Sequence, residues 1–217
     1  MTPDTPSRLL AARVALVLAP VVAGVSVVLQ PHLDGGGSDR LAAMDSTSAA
    51  ISAAAFLVSQ LPMLIAILAI GRLLLPYASR LSAWGTALGV LGTFGHAAFG
   101  GLSLVLITMS HDEAHRSLYG GLVDDVFNSP IMLVSMVGLI GTVVGLLLLG
   151  IGVFRTRTGP IWVGPAIWAF LLVEFGGSGL SPRASYLSVL LLATAFWGLL
   201  PSLTPAHSSA DETQLVG

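Results

Sequence analysis

The sequence predicts an all-α fold, a polytopic transmembrane bundle of six helices, and three observations predict it. Charged residues make up 9% of the chain and hydrophobic ones 54%. Mean hydropathy is +0.89. The apolar residues gather into six long stretches separated by short polar connectors. A water-soluble domain of 217 residues cannot cover its surface with so little charge, so its natural solvent is a lipid bilayer.

The spans read Leu9–Leu29, Ser48–Gly71, Ser82–Met109, Pro130–Phe154, Pro160–Leu180 and Ala184–Leu203. Each is long enough for a hydrocarbon core of about 30 Å at about 1.5 Å per residue. The first span has an apolar core of about 20 residues, longer than the 7–15 of a signal peptide, so it is expected to stay with the protein. Residues 1–205 form the membrane domain, and 206–217 read as a disordered cytoplasmic tail. Pro20, Pro62 and Pro165 lie within spans and are expected to kink or loosen three helices.

Loop charge sets the orientation. Arg8, Arg13, Arg72, Arg80, Arg155 and Arg157 flank one set of span ends. The opposite connectors hold Asp34, Asp39, Asp45, Asp112, Glu113, Asp124 and Asp125, with Arg40, Arg116 and Arg183. Six Arg against three place both termini in the cytoplasm. Trp84, Trp162 and Trp197 then fall near the cytoplasmic interface, where indoles prefer to sit.

One connector, Ser110–Ser129, is long. Leu118, Tyr119, Leu122, Val123, Val126 and Phe127 share one helical face, opposite Gly120, Gly121, Asp124 and Asp125. This describes either an amphipathic helix on the outer membrane face or a loop packed over the bundle. Gly85 and Gly89 in the third span, and Gly141 and Gly145 in the fourth, are G-x-x-x-G pairs that let helix backbones approach.

The second and third spans overlay on the fourth and fifth as a helical-hairpin repeat. Leu57-Val58-Ser59 answers Leu133-Val134-Ser135, Trp84 answers Trp162, and Gly101-Leu102-Ser103 answers Gly179-Leu180-Ser181. The overlay puts His96 and Glu174 each twelve residues after its Trp, about 18 Å from the interface. They are the ionisable side chains far from any span end, and Gln60 lies at comparable depth. Intramembrane ionisable groups normally face the bundle interior in pairs. Three arrangements stay open: a proton-titratable site of His96, Glu174 and Gln60; a purely structural bond between helices; or Glu174 reaching the outer interface alone.

Other chemistry is sparse. His111 and His115 have zinc-ligand spacing and sit in a His-Asp-Glu-Ala-His segment similar to the zincin motif, with Asp112 in place of its Glu. No third ligand is evident and Asp is a shorter base than Glu, so the expected reading is a solvated polar loop with two incidental His. Gly176-Gly177-Ser178-Gly179 resembles the segment around the rhomboid protease nucleophile. A rhomboid needs an intramembrane His two spans later, and here only His207 follows. A bis-His haem needs two deep imidazoles, and His96 is the single one. Absence of Cys excludes disulfides and thiolate metal sites, and absence of Lys excludes a Schiff-base chromophore. The reading therefore assigns no cofactor, and the net charge of −2 gives no footprint for nucleic acid.

Three features carry a family resemblance. The first span ends in Gln30-Pro31-His32-Leu33-Asp34, the second closes on Gly71-Arg72-Leu73, and the third is rich in Leu-Gly repeats. In these the chain resembles a broad group of uncharacterised actinobacterial integral membrane proteins. The resemblance implies a bacterial plasma-membrane location and six helices; it carries over no catalytic residue. Two functions compete: small-solute or ion-coupled transport through the His96, Glu174 and Gln60 site, and an accessory subunit of a membrane complex with no chemistry of its own. A membrane enzyme is the less favoured third. The expected partners are lipid and either further copies of the chain or another membrane protein.

Overall fold

A computed structural model describes residues 5–33, 35–130, 132–177 and 181–203. Eight α-helices account for most of them: α1 Pro6–Leu29, α2 Gly37–Met44, α3 Thr47–Leu74, α4 Ser79–Ser110, α5 Arg116–Phe127, α6 Met132–Thr156, α7 Val163–Leu172 and α8 Pro182–Gly198. Local chemistry sets several ends. Pro6 and Pro182 stand in the first turns of α1 and α8, where a missing N–H costs nothing. Ser46 caps α3 by accepting from the Ala49 N–H at 3.1 Å.

Five helices are long and apolar enough to cross a membrane: α1, α3, α4, most of α6, and α8 continued through the 3₁₀ turn to Leu203. Within the described residues the predicted fifth span is a shorter apolar segment than the other five. Its ten-residue α7 runs into a five-residue π-turn, Val173–Gly177, about 22 Å together at ~1.5 Å per residue. Pro160 sits before its start and Gly176 and Gly177 lie at its end. Pro165 falls in the first turn of α7, so it interrupts nothing, while α1 and α3 continue through Pro20 and Pro62. The predicted tail, 206–217, lies outside the described residues.

The large helices form a closed ring. α1 packs on α3, α3 on α4, α4 on α6, α6 on α7, α7 on α8, and α8 returns to α1, while α3 and α6 touch across the middle. Neighbours run antiparallel: Gly164 meets Gly150 between α7 and α6, and Gly198 meets Trp162 and Gly177 meets Ala184 between α8 and α7. The two hairpins of the proposed repeat are therefore adjacent in the ring. Their second members differ greatly in length, 32 residues in α4 against ten in α7.

Two apolar cores result. The larger one gathers Leu16, Ile67, Ile70, Leu74, Leu149, Val153, Ile167, Phe196 and Leu199, with their neighbours, at the end where α1 begins. At the other end Leu41, Met44, Ala49, Ala53, Leu106, Ile107 and Val123 are buried beneath a cap made by α2 and α5. The sequence reading missed α2: it is eight residues long and only Leu41 and Met44 anchor it. Of the two alternatives for the long connector, the structure shows a helix, α5, packed on α2. Gly120 and Val123 are buried, while Leu118 and Leu122 point away. Gly120 is inward because its missing side chain lets α5 press on Ser38 and Gly37 of α2.

Along α3, α4, α6, α7 and α8 the outward surface is apolar. Leu61 is 66% exposed, Phe94 68% and Leu172 74%. A continuous apolar exterior of this kind suits hydrocarbon and not water.

The most extensive helix contact is the α4–α6 seam. The predicted Gly85, Gly89, Gly141 and Gly145 all lie in it, joined by Gly92, Gly95 and Gly138. A Cβ on Gly141 would stand 2.7 Å from the Leu88 carbonyl oxygen, and one on Gly145 would stand 2.8 Å from Gly89 Cα. These obstacles are backbone atoms and cannot rotate away. Gly145→Ala is therefore expected to lower stability by about 1–3 kcal/mol in a detergent unfolding assay. Gly101→Ala meets nothing within 4 Å and should be neutral or stabilising by up to about 1 kcal/mol.

Candidate functional site

His96 projects from α4 beside the glycine seam. Its Nδ1 lies 3.1 Å from the Gly92 carbonyl, four residues back, and 3.4 Å from Thr142 Oγ1 on α6. A carbonyl only accepts, so Nδ1 carries the proton in the shorter bond. The Phe56 ring of α3 tilts against the imidazole at 5.9 Å between centroids, and Phe99 meets Phe56 edge-on at 6.4 Å. Gln60 reaches the same neighbourhood from α3, its Nε2 donating to the Phe56 carbonyl and to Ser59 Oγ, each at 3.1 Å. Ser59 donates to that carbonyl as well. Phe56 thus links His96 and Gln60, joining α3, α4 and α6.

Glu174 belongs elsewhere. It lies in the π-turn that ends the α7 segment, and that turn packs on α7 and α8, whereas α4 packs on α3 and α6. The Glu174 carboxyl makes a short hydrogen bond with Ser188 Oγ on α8. No hydrogen bond joins Glu174 to His96 or Gln60: each is bonded to its own partners.

The Ser188 bond has chemical consequences. Ser188 is fully buried, and its Oγ also lies 2.8 Å from the Ser185 carbonyl. A hydroxyl has one proton to give. When Glu174 is protonated, it donates to Ser188, which donates onward to Ser185. When Glu174 is ionised, it accepts from the Ser188 hydroxyl, and the Ser185 carbonyl is left without that bond. Gain or loss of one proton therefore reverses the Ser188 hydroxyl and changes how the π-turn is tied to α8.

A second polar cluster closes the capped end. Asp45, between α2 and α3, accepts from His111 Nδ1 and from Arg116, both at 2.8 Å. Arg116 also donates to the Ser110 carbonyl at 3.0 Å. Asp112 accepts from the His115 ring at 2.9 Å and from its backbone N–H at 3.3 Å, and Tyr119 donates to it at 3.4 Å. His111 and His115, the spacing that suggested zinc, are thus each bonded to a different carboxylate. Among the described residues no three His, Cys, Asp or Glu side chains gather as a metal site. Across the cap, Asp124 accepts from the Gly37 N–H at 3.1 Å and Arg40 lies over the Phe127 ring at 5.2 Å.

Gly177 packs against Ala184, while Gly176 has open space beside it. Ser178, Gly179 and His207 of the rhomboid-like comparison lie outside the described residues. Ser188, Thr142 and Phe56 were not found from sequence: a lone Ser, Thr or Phe in an apolar helix carries no signal until its neighbours are known. No known family model, no curated protein and no solved structure matches this chain.

The His115 hydrogen bond holds the Asp112 carboxyl below the usual carboxylate range. A depressed folded value stabilises above the unfolded pKa, and that contribution is lost as pH falls through the folded value. Asp45 ties separate segments together, accepting from His111 at the end of α4 and from Arg116 at the start of α5. Asp45→Asn is expected to weaken the cap by about 1–2 kcal/mol. Hydrogen exchange in 37–46 and 110–127 should then speed up about tenfold, with the α4–α6 seam unchanged.

Proposed function

We propose that this protein crosses a bacterial plasma membrane six times with both termini cytoplasmic, and that it couples proton exchange at Glu174 to movement of a small solute or ion. The observation that carries the coupling is the π-turn, which presents a carboxylate to a buried hydroxyl on the next helix. Ionisable groups inside a membrane are costly and normally functional, and π-turns within helices recur at functional sites. The proton-dependent reversal at Ser188 supplies the link to α8. α7 carries no ionisable side chain, and Arg183 and Tyr186 of α8 make no ion pair or hydrogen bond with Glu174.

Support for the sixth crossing comes from direction. The α7 segment runs antiparallel to both α6 and α8, beginning beside Gly150 and Gly198 and ending beside Ala184. A segment a few Å short of the hydrocarbon thickness is accommodated by local thinning. Support for orientation comes from the Arg distribution and from Trp84, Trp162 and Trp197, all on the bundle exterior. In this reading His96 ties α4 to α6 through Thr142 and meets Phe56 of α3, while Gln60 bonds within α3.

The accessory-subunit reading draws on the same hydrogen bonds, since each polar group is satisfied by a helix next to it. Two measurements separate the readings. Infrared difference spectra across a pH step should contain the carbonyl band of a protonated carboxyl that Glu174→Gln removes. Proteoliposomes holding a pH dye should respond to a pool of small solutes with wild-type protein and fail with Glu174→Gln. Unchanged spectra and no solute response in wild type, with a stoichiometric protein partner in native membranes, would establish the accessory role instead.

A further inference from the structure

The surface of α1 carries a groove that the proton-site reading does not use. It has a volume of about 600 Å³ and is lined by Arg13, Val14, Val17, Leu18, Leu200 and Pro201. One wall is α1, and the other is the 3₁₀ turn Leu200–Leu203 that follows α8. Its charge is concentrated at one end. Arg13 lies one helical turn before Val17, about 6 Å nearer the start of α1, while Val14, Val17, Leu18 and Leu200 make the rest apolar.

Among the described residues the Arg13 guanidinium has no hydrogen-bond or ion-pair partner, and its Nε is buried without one. A guanidinium carries five N–H donors in a planar fork suited to phosphate oxygens. A buried donor left unpaired costs about 1–3 kcal/mol. The described residues supply no acid to answer it: Asp39, Asp45, Asp112, Glu113, Asp124 and Asp125 lie at the capped end, and Glu174 is in the π-turn. Arg8, Arg72 and Arg80 lie at the same end as Arg13 and add positive charge there.

We propose that this groove is a binding site for one anionic phospholipid of the inner leaflet, its phosphate paired bidentately with Arg13 and an acyl chain lying along Val14, Val17, Leu18 and Leu200. The order of groups along α1 matches that of a lipid, with charge toward the membrane surface and hydrocarbon toward its middle. The site rests on the proposed placement of α1 in the membrane and is independent of Glu174.

The test is native mass spectrometry of the purified full-length protein titrated with phosphatidylglycerol and with phosphatidylcholine of identical chains. Wild type should retain one phosphatidylglycerol with about fivefold preference, the effect of one Arg at an anionic surface. Arg13→Gln should abolish that preference and Arg8→Gln should preserve it. Val17→Trp, which fills the groove while leaving Arg13 in place, should weaken retention as strongly, and thermal unfolding confirms that each variant is folded. The proposal fails if Arg13→Gln retains the preference, or if inorganic phosphate displaces the lipid, since the apolar wall would then contribute nothing. It fails also if Asp211→Asn with Glu212→Gln raises retention severalfold, because the chain's own C-terminal residues would then be the natural occupant.

Discussion

The backbone-to-backbone approach of α4 and α6 is the contact on which the rest of the bundle depends. In lipid the hydrophobic effect gives helices no reason to associate, and close packing of small residues does that work. The glycines from Gly85 to Gly95 face Gly138, Gly141 and Gly145, with no side chain between much of the two backbones. Once α4 and α6 are fixed, α3 is held against one side of the pair and α7 against the other, and α8 and α1 complete the ring. His96 and Thr142 meet only because the seam brings their helices so close.

The two ends of the bundle solve different problems. At the capped end short helices α2 and α5 bury a small apolar core and are tied together by Asp45, Arg116, His111 and Asp124. At the other end lies the larger core, where the described charged residues are Arg, and among the described residues the Nε of one of these, Arg13, has no partner. Between them, Gln60, His96 and Glu174 bond to the helix they sit on or to an adjoining one. Glu174 and His96 are the ionisable members of that set, and each charge state of Glu174 imposes a different direction on the Ser188 hydroxyl.

Much of this architecture could be read from composition and spacing. The long apolar helices follow from runs that no soluble fold could tolerate, and Gly85, Gly89, Gly141 and Gly145 reach the seam because G-x-x-x-G places two glycines on one face. Helix α2 was hidden because eight residues with two apolar anchors leave no periodic trace. The inward face of α5 was hidden for a related reason: apolar periodicity finds greasy faces, while this helix packs through Gly120, the residue with no side chain at all. The pairing of His96 with Glu174 rested on equal depth. Depth says how far along a helix a residue lies but not which neighbour it faces, and ring order gives His96 to α3 and α6 and Glu174 to α8.

Six crossings require the short α7 segment to pass fully through the membrane. The chain contains no Cys, so single cysteines report without background. Labelling of intact cells with a membrane-impermeant maleimide should reach Ser117→Cys and leave Ser7→Cys, Thr158→Cys and Ser209→Cys protected until the membrane is opened. Labelling of Ser209→Cys from outside, with Ser7→Cys still protected, would mean five crossings and would contradict the account.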